Sequence, residues 1–296
     1  MGYRAVDLME VMMKRYPGVL FTIILLLVAN HALLAGKKTE KNEIRKTLRF
    51  TGSGPKEVVV DNVNGSIEVV GYNGKNVELV AMHKISARNE DRLQRAMEEV
   101  QLDIDEDGNS IKLYVDGPFR KQDGSINHRG WRHYGYEVIY DIELKVPYET
   151  DFYLKTVNEG EIRIEDVTGA YEVENINGGI QMENIGGSGR VYALNGEVEI
   201  TFSKNPEDSS YFGSLNGDIN VSFQSGFAAD VQIKTFNGEA YSDFPFTYLP
   251  TPIEKGKRKR GKYVYKSNKG AMVRVGKGGP YVKFDAFNGD IYIREI

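Results

Sequence analysis

The stretch that decides the fold is GRVYALNGEVEITF, residues 189–202. In it, an alternating apolar and polar segment leads to Asn195-Gly196, which is followed by an acidic residue and a second alternating segment. The same phrase recurs at other corners of the chain. They are Asn64-Gly65, Asn177-Gly178, Asn216-Gly217, Asn237-Gly238 and Asn288-Gly289, with Asn158-Glu159-Gly160 as a variant. The later copies lie about 20 residues apart, except for the interval from 237 to 288, and such a period is typical of stacked β architectures.

Equivalent positions around each corner share size and polarity. The fourth residue before each asparagine is large and apolar: Val60, Leu154, Val173, Val191, Phe212, Ile233 and Phe284. The residue directly before it is also apolar: Val63, Val157, Ile176, Leu194, Leu215, Phe236 and Phe287. After the glycine, the second and fourth residues are apolar, as in Ile180 and Met182 or Val198 and Ile200. Because side chains alternate across a strand, this pattern gives the strand after each corner one buried face.

A repeat unit of this kind cannot bury its apolar face alone, so several units must stack. The pattern therefore predicts an all-β fold, a right-handed parallel β-helix or solenoid with repeats of about 20 residues. Residues 148–296 would supply about five or six of its turns. The alternative is an antiparallel sandwich of Asn-Gly hairpins.

Composition and the N-terminus indicate an exported protein. A net charge of −4 disfavours a general nucleic-acid role, and the absence of cysteine excludes disulfides, thiolate metal sites and a lipid-anchored cysteine. Lys14 and Arg15 precede an apolar run over 19–29, and small residues follow up to Gly36. We expect residues 1–35 to be a signal peptide, or alternatively a signal anchor, leading to the periplasm or cell surface. Residues 36–46 would be a linker, and residues 47–296 one domain.

The middle of the chain interrupts the repeats. Leu93, Met97 and Val100 fall at helical spacing, which predicts one helix inserted over 87–100. A hairpin is expected over 101–115 around Asp107-Gly108-Asn109, followed by a long strand over 136–146.

This order of elements resembles a bacterial β-strand-repeat, adhesin-like family of unknown function, related to auto-transporter adhesin head domains. The resemblance runs from about Glu57 to Ile296 and is carried by residues 63–69 (VNGSIEV), the inserted helix, residues 142–147 (IELKVP) and the later Asn-Gly turns. It implies a right-handed parallel β-helix and an exported or envelope-associated location. It implies no catalytic residues.

An acidic residue follows most of the corner glycines. These residues are Glu161, Glu197, Asp218, Glu239 and Asp290, with Gly179 breaking the series. In register, neighbouring carboxylates would lie about 5 Å apart and repel one another. Solvent screening is one interpretation, and bridging by Ca²⁺ is the other. No other cofactor is indicated.

Two further segments are candidate partner-binding sites. The first contains Arg129, Trp131, Arg132 and Tyr134, since aromatic faces beside cations suit sugars or anionic groups. The second is a basic insertion over 245–275. Its central charges are Lys257, Arg258, Lys259 and Arg260, which suit anionic lipid or acidic polysaccharide. Each segment has a structural alternative, a loop packed on the core edge and a solvated loop, respectively.

The sequence favours a non-enzymatic, exported scaffold or adhesin-like module that binds a glycan, an anionic lipid or an envelope protein. No recognisable catalytic or metal-binding motif contains His83, His128 or His133. A polysaccharide-acting enzyme and an envelope-sensing partner of a membrane regulator remain the alternatives.

Overall fold

The computed structural model describes residues 37–121, 134–158, 160–250, 258–259, 262–263 and 270–296. Over these residues the chain is all-β, with one helix and two large sheets in which most neighbouring strands are parallel. The predicted signal or anchor segment, residues 1–35, lies outside them. No helix in the described part of the chain is both long and apolar enough to cross a bilayer.

The elements alternate short strands with tight corners. In chain order they are β1 (Lys38–Arg49), β2 (Lys56–Asp61), β3 (Ile67–Tyr72), β4 (Asn76–Ala87), α1 (Glu90–Glu99), β5 (Gln101–Asp107), β6 (Ser110–Asp116), β7 (Tyr136–Pro147), β8 (Thr150–Thr156), β9 (Ile162–Glu165), β10 (Tyr171–Asn177), β11 (Ile180–Ile185), β12 (Gly189–Asn195), β13 (Val198–Phe202), β14 (Ser210–Asn216), β15 (Ile219–Phe223), β16 (Ala229–Asn237), β17 (Ala240–Ser242), β18 (Phe246–Tyr248), β19 (Arg258–Lys259), β20 (Lys262–Tyr263), β21 (Ala271–Val275), β22 (Tyr281–Asn288) and β23 (Ile291–Glu295).

Each repeat contributes one strand to each large sheet. Sheet A has ten strands in the order β1-β4-β7-β3-β9-β11-β13-β15-β23-β17. Sheet B has eleven in the order β18-β21-β16-β22-β14-β12-β10-β8-β2-β6-β5. The strand before each corner asparagine belongs to sheet B, and the strand after the glycine belongs to sheet A. Buried residues of both sheets form one hydrophobic core.

The predicted columns are confirmed by the register. In sheet A, Ile180 pairs with Val198, and Val198 pairs with Ile219, all in parallel strands. In sheet B, Val173 pairs with Val191 in the same way. All four are buried. The alternative of antiparallel Asn-Gly hairpins is therefore wrong, because the two strands of a repeat lie in different sheets.

The last repeats do not stack in chain order. Strand β22 pairs with β14 on one side and with β16 on the other, so the final repeat lies between two earlier ones. In sheet A, β23 lies likewise between β15 and β17. Strand β21 pairs antiparallel with β16 and covers its other edge, so the final repeat occupies the inner side.

The N-terminal end of the stack is built from antiparallel strands and differs from two sequence predictions. Lys38–Arg49 is not a linker but a strand, paired with β4 along its whole length. The helix spans Glu90–Glu99 rather than 87–100. It begins after Asn89, whose side chain accepts a hydrogen bond from the Arg92 amide, as expected for an N-cap.

Candidate binding surface at the asparagine corners

The corner asparagines form one continuous hydrogen-bonded ladder. Each Nδ2 donates to Oδ1 of the next asparagine at 2.7–3.1 Å, in the spatial order Asn237, Asn288, Asn216, Asn195, Asn177, Asn158, Asn64. At the N-terminal end, Nδ2 of Asn64 donates to the carbonyl oxygen of Val138, 3.0 Å away. The asparagine ladder therefore has a direction, with a closed end at Val138 and an open end at Asn237.

Glycine is required at the corners mainly because the backbones of neighbouring corners lie too close together to admit a Cβ atom. A Cβ added to Gly196 would lie 2.1 Å from the carbonyl oxygen of Gly178, and one added to Gly289 would lie 2.2 Å from that of Gly217. None of the described corner asparagines has a positive φ angle, and among the described corner glycines only Gly65 and Gly217 do, at 111° and 156°. Backbone approach between neighbouring corners is thus the stronger constraint.

Carboxylates of the acidic column cap backbone amides of neighbouring repeats. Asp218 Oδ1 accepts the Asp290 amide at 2.8 Å, and Asp290 Oδ1 accepts the Glu239 amide at 2.8 Å. Asp141, from β7, plays the same part for the Ser66 amide at 2.9 Å. Hydrogen bonds to backbone amides therefore account for part of a series that we interpreted as solvated or cation-bridged. In the described residues, no three His, Asp or Glu side chains are placed to hold a metal ion.

Aromatic rings replace aliphatic side chains at the two repeats nearest the open end. The residue before each asparagine is buried at Val63 (0% exposed), but Phe287 is 44% and Phe236 is 70% exposed. The rings of Phe236 and Phe287 are stacked, with centroids 4.9 Å apart and planes within 5°. This pair forms the end of an apolar ridge beside the asparagine ladder.

A second stacked pair lies on the other side of the same corners. Tyr241 and Tyr292 have ring centroids 5.1 Å apart and planes within 10°. Tyr241 donates its hydroxyl to Glu239 Oε2 at 2.7 Å, and this hydrogen bond raises the pKa of Tyr241 to about 12. The two pairs, Phe236/Phe287 and Tyr241/Tyr292, together form what we call the aromatic corner.

The aromatic corner is not among the sites predicted from the sequence, although the alternation of side chains along the strand indicates its exposure. The residues two and four before each asparagine point inward, so the residue directly before it points outward. An aromatic residue at that position is therefore expected on the surface. We instead selected segments with a high density of basic and aromatic residues.

Most of the first predicted site lies outside the described residues, namely Arg129, Trp131 and Arg132. Tyr134 is described, and it packs against the core and donates its hydroxyl to the Pro118 carbonyl at 2.8 Å. At the other end of this loop, the Arg120 side chain is only 3% exposed and lies 3.0 Å from Asp61 Oδ2. Both described ends of the loop are thus tied to the core, and nothing described brings Tyr134 together with a ligand surface.

The basic insertion is described only in part. Lys257 and Arg260 lie outside the described residues. Arg258 and Lys259 form β19, which pairs antiparallel with β20 and with no strand of the large sheets in the described part of the chain. The predicted contact of this insertion with anionic partners stays a prediction.

A polar groove of about 580 Å³ lies on the opposite edge, where the chain returns from sheet A to sheet B. Its walls include Thr168, Gly187, Ser188, Lys204 and Glu207. Lys204 and Glu207 are paired at 2.9 Å, and Ser188 Oγ accepts the Asp208 amide at 3.0 Å. Several of its polar groups are thus already engaged within the protein.

No protein-family model matches the chain, and no curated protein matches it. Among solved structures, a candidate cell adhesion protein from Clostridium sporogenes is similar over 87% of this chain and 100% of its own, with 11% identity and a TM-score of 0.34. A candidate adhesin from Bacteroides fragilis is similar over 88% of this chain and 99% of its own, with 10% identity and a TM-score of 0.36. A candidate lipid-binding protein from Parabacteroides distasonis is similar over 86% of this chain and 96% of its own, with 11% identity and a TM-score of 0.24. At such identities and TM-scores, the function of this chain must be inferred from its own residues.

Proposed function

We propose that the chain from Lys38 onward is a right-handed β-solenoid that acts as a non-enzymatic, exported binding module of the cell envelope, adhesin-like in its use. The solenoid interpretation is supported by the parallel, in-register pairing of successive repeats in both sheets. The apolar run after Lys14 and Arg15 supports export.

The observation that carries the binding role is the aromatic corner. Soluble proteins bury most large aromatic side chains, and clustered exposed rings mark interaction sites. Here the exposed rings are held by stacking and stand on a hydrogen-bonded ladder, so their positions are fixed before a partner arrives. Such preorganisation lowers the entropic cost of binding.

A structural role for the acidic column supports the non-enzymatic interpretation. A polysaccharide-cleaving site needs a pair of carboxylates free to act as acid and base. Asp218 and Asp290 instead each accept a backbone amide of the neighbouring repeat.

The proposal is tested by incubating the purified chain with envelope fractions enriched in glycan, lipid or protein, followed by co-sedimentation. We expect saturable binding to one fraction and recovery of that ligand unchanged. Turnover on a panel of acidic glycans would contradict the non-enzymatic role, and failure to bind any fraction would contradict the binding role. N-terminal sequencing of the mature chain from fractionated cells tests export.

A further inference from the structure

In the described part of the chain, the stack ends with two open ring faces. Strand β17 is the last strand of sheet A there, so no described repeat covers Tyr241. In sheet B, β21 pairs with β16 only from Ala229 to Ile233 and does not reach Phe236. Phe236 and Tyr241 each stack on one neighbour, which leaves their outer faces open, at 70% and 46% residue exposure.

Between Phe236 and Tyr241 in the chain, the polar side-chain groups with unused hydrogen-bonding capacity are acceptors. Because every amide of the ladder donates toward the N-terminal end, Oδ1 of Asn237 has no hydrogen-bond partner among the described residues. Glu239 is exposed, and within the described ranges its side chain is engaged only at Oε2, by the hydroxyl of Tyr241. A carboxylate accepts several hydrogen bonds, so acceptor capacity remains. A matching ligand must therefore present donors together with an apolar face.

A second copy of this chain meets that requirement poorly. In a two-fold contact between two open ends, each end would offer the same unused groups, Oδ1 of Asn237 and the carboxylate of Glu239. Both are acceptors, so neither copy would supply the donors that the other lacks. The carboxylates of the two copies would also repel each other.

We propose that the open end of the ladder, formed by Phe236, Asn237, Glu239 and Tyr241, binds a neutral or amino-bearing saccharide. The apolar C–H face of a sugar ring stacks on Phe236 or Tyr241. Its hydroxyl or ammonium groups donate to Oδ1 of Asn237 and to the carboxylate of Glu239. This inference rests on the proposed role as a binding module and names the ligand class.

Charge sets the preference within that class. Glu239 lies next to Asp290, whose Oδ1 accepts the Glu239 amide, so the corner carries two neighbouring carboxylates. A uronate or sulfated sugar would meet like charge, whereas an ammonium group would meet opposite charge and aromatic faces. The site therefore ranks an amino sugar above a neutral one and a neutral one above an anionic one.

The test is calorimetric titration of the full chain with three probes: a tetramer of N-acetylglucosamine, its de-acetylated form, and a uronate tetramer. We expect affinity to fall in the order de-acetylated, acetylated, uronate. Phe236→Ala and Tyr241→Ala should each weaken binding of the first two about tenfold. Tyr248→Ala is the matched control, because Tyr248 is 79% exposed but lies on β18, outside the proposed site. This variant should bind the probes as the native chain does. Glu239→Gln should weaken only the de-acetylated probe.

The outcomes separate this inference from the broader proposal. If the native chain binds envelope fractions but Phe236→Ala and Tyr241→Ala bind all probes unchanged, the saccharide site is wrong and the binding module stands. If the uronate binds best, the charge argument is wrong. If sedimentation shows dimers that Phe236→Ala abolishes and no probe binds, the end is a self-association surface instead. If neither fractions nor probes bind, both proposals fail.

Discussion

The two ends of the asparagine ladder use the same sequence motif for opposite purposes. At the N-terminal end, Asn64 is buried and its amide is satisfied by the carbonyl of Val138 on β7. At the other end, Asn237 is exposed and its amide oxygen is open. The residue before each asparagine follows the same trend, from Val63 at 0% to Phe236 at 70% exposure.

The difference teaches that an Asn-Gly corner is closed or open according to what covers it. Strands β1, β4 and β7 continue sheet A beyond the first repeat in an antiparallel arrangement. Within the described ranges, nothing comparable continues sheet A beyond β17, which is only three residues long. A short edge strand limits unwanted pairing while leaving the side chains of the corner accessible.

The largest expected effect contrasts a buried ring with an exposed one. Phe212→Ala should lower the free energy of unfolding by about 3–5 kcal/mol, because the ring is fully buried and the cavity cannot collapse easily. Phe236→Ala removes a ring of the same size and should cost less than about 1 kcal/mol. Urea unfolding of the two variants measures both values. Equal losses would mean that Phe236 is not a surface residue.

The next effect concerns an ion pair at the closed end. Arg120→Leu leaves the Asp61 carboxylate partly buried without its partner at 3.0 Å, and Asp61 Oδ1 already lacks one in the structure. We expect a loss of about 2–3 kcal/mol in the free energy of unfolding. Arg163→Leu is the matched control. Its pair with Glu161 at 2.9 Å is more than half exposed on both sides, so solvent screens the pair and its loss should change the free energy of unfolding far less than the loss of Arg120. Similar losses in both variants would show that burial does not strengthen the Arg120 pair.

A smaller effect compares positions within the ladder. Asn195→Ala removes two side-chain hydrogen bonds, one to Asn177 and one from Asn216. Asn237→Ala removes only the bond to Asn288. We expect losses of about 1–2 kcal/mol and about 0.5–1 kcal/mol in the free energy of unfolding, respectively. Urea unfolding of both variants, with unchanged m-values as a check on the unfolded state, would reveal any reversal of this order.

The smallest effect is a dependence on pH at the closed end. The rings of His83 and Tyr140 are stacked, with centroids 4.4 Å apart. Burial lowers the pKa of His83, and the negative charge of Glu40 opposes part of this shift. The unfolded chain therefore takes up a proton more readily than the folded one. Stability is unaffected above the unfolded pKa of about 6.5 and falls below it, by at most about 1.4 kcal/mol per pH unit, until the pH passes the lowered folded value.

This dependence is measured by urea unfolding between pH 7.5 and 5.5. His83→Phe should flatten the curve over that range, because the phenyl ring keeps the stack and carries no titrating group. A variant curve that falls as steeply as the native one would assign the dependence to other groups.

Side-chain parity and repeat spacing were sufficient to predict the in-register columns, since burying Ile180, Val198 and Ile219 together requires parallel stacking. They could not predict the order of the last repeats. Phe284 occupies the same column as Phe212 and Ile233, and all three are large and apolar, so the apolar pattern alone does not distinguish the two orders. The order of the last repeats is set by β21, which pairs with one edge of β16 and has no Asn-Gly motif by which it could be predicted.

Strand β1 was interpreted as a linker because its charges hide the alternation. Only Leu48 is buried in it, and Ile44 is partly buried against the core. Its partner β4 determines its conformation through backbone hydrogen bonds, which leave little trace in composition. The aromatic corner was overlooked although parity points its residues outward, because the position before each asparagine is apolar at every corner and is buried at Val63 but exposed at Phe236.

The insertion of β22 and β23 between earlier repeats has a consequence for the order of folding. Strands β16 and β17 precede in the chain the strands that they finally pair with. They can reach their final places only after β22 and β23 have paired with β14 and β15. The repeat that carries Phe236 and Tyr241 is therefore expected to be among the last parts of the stack to form.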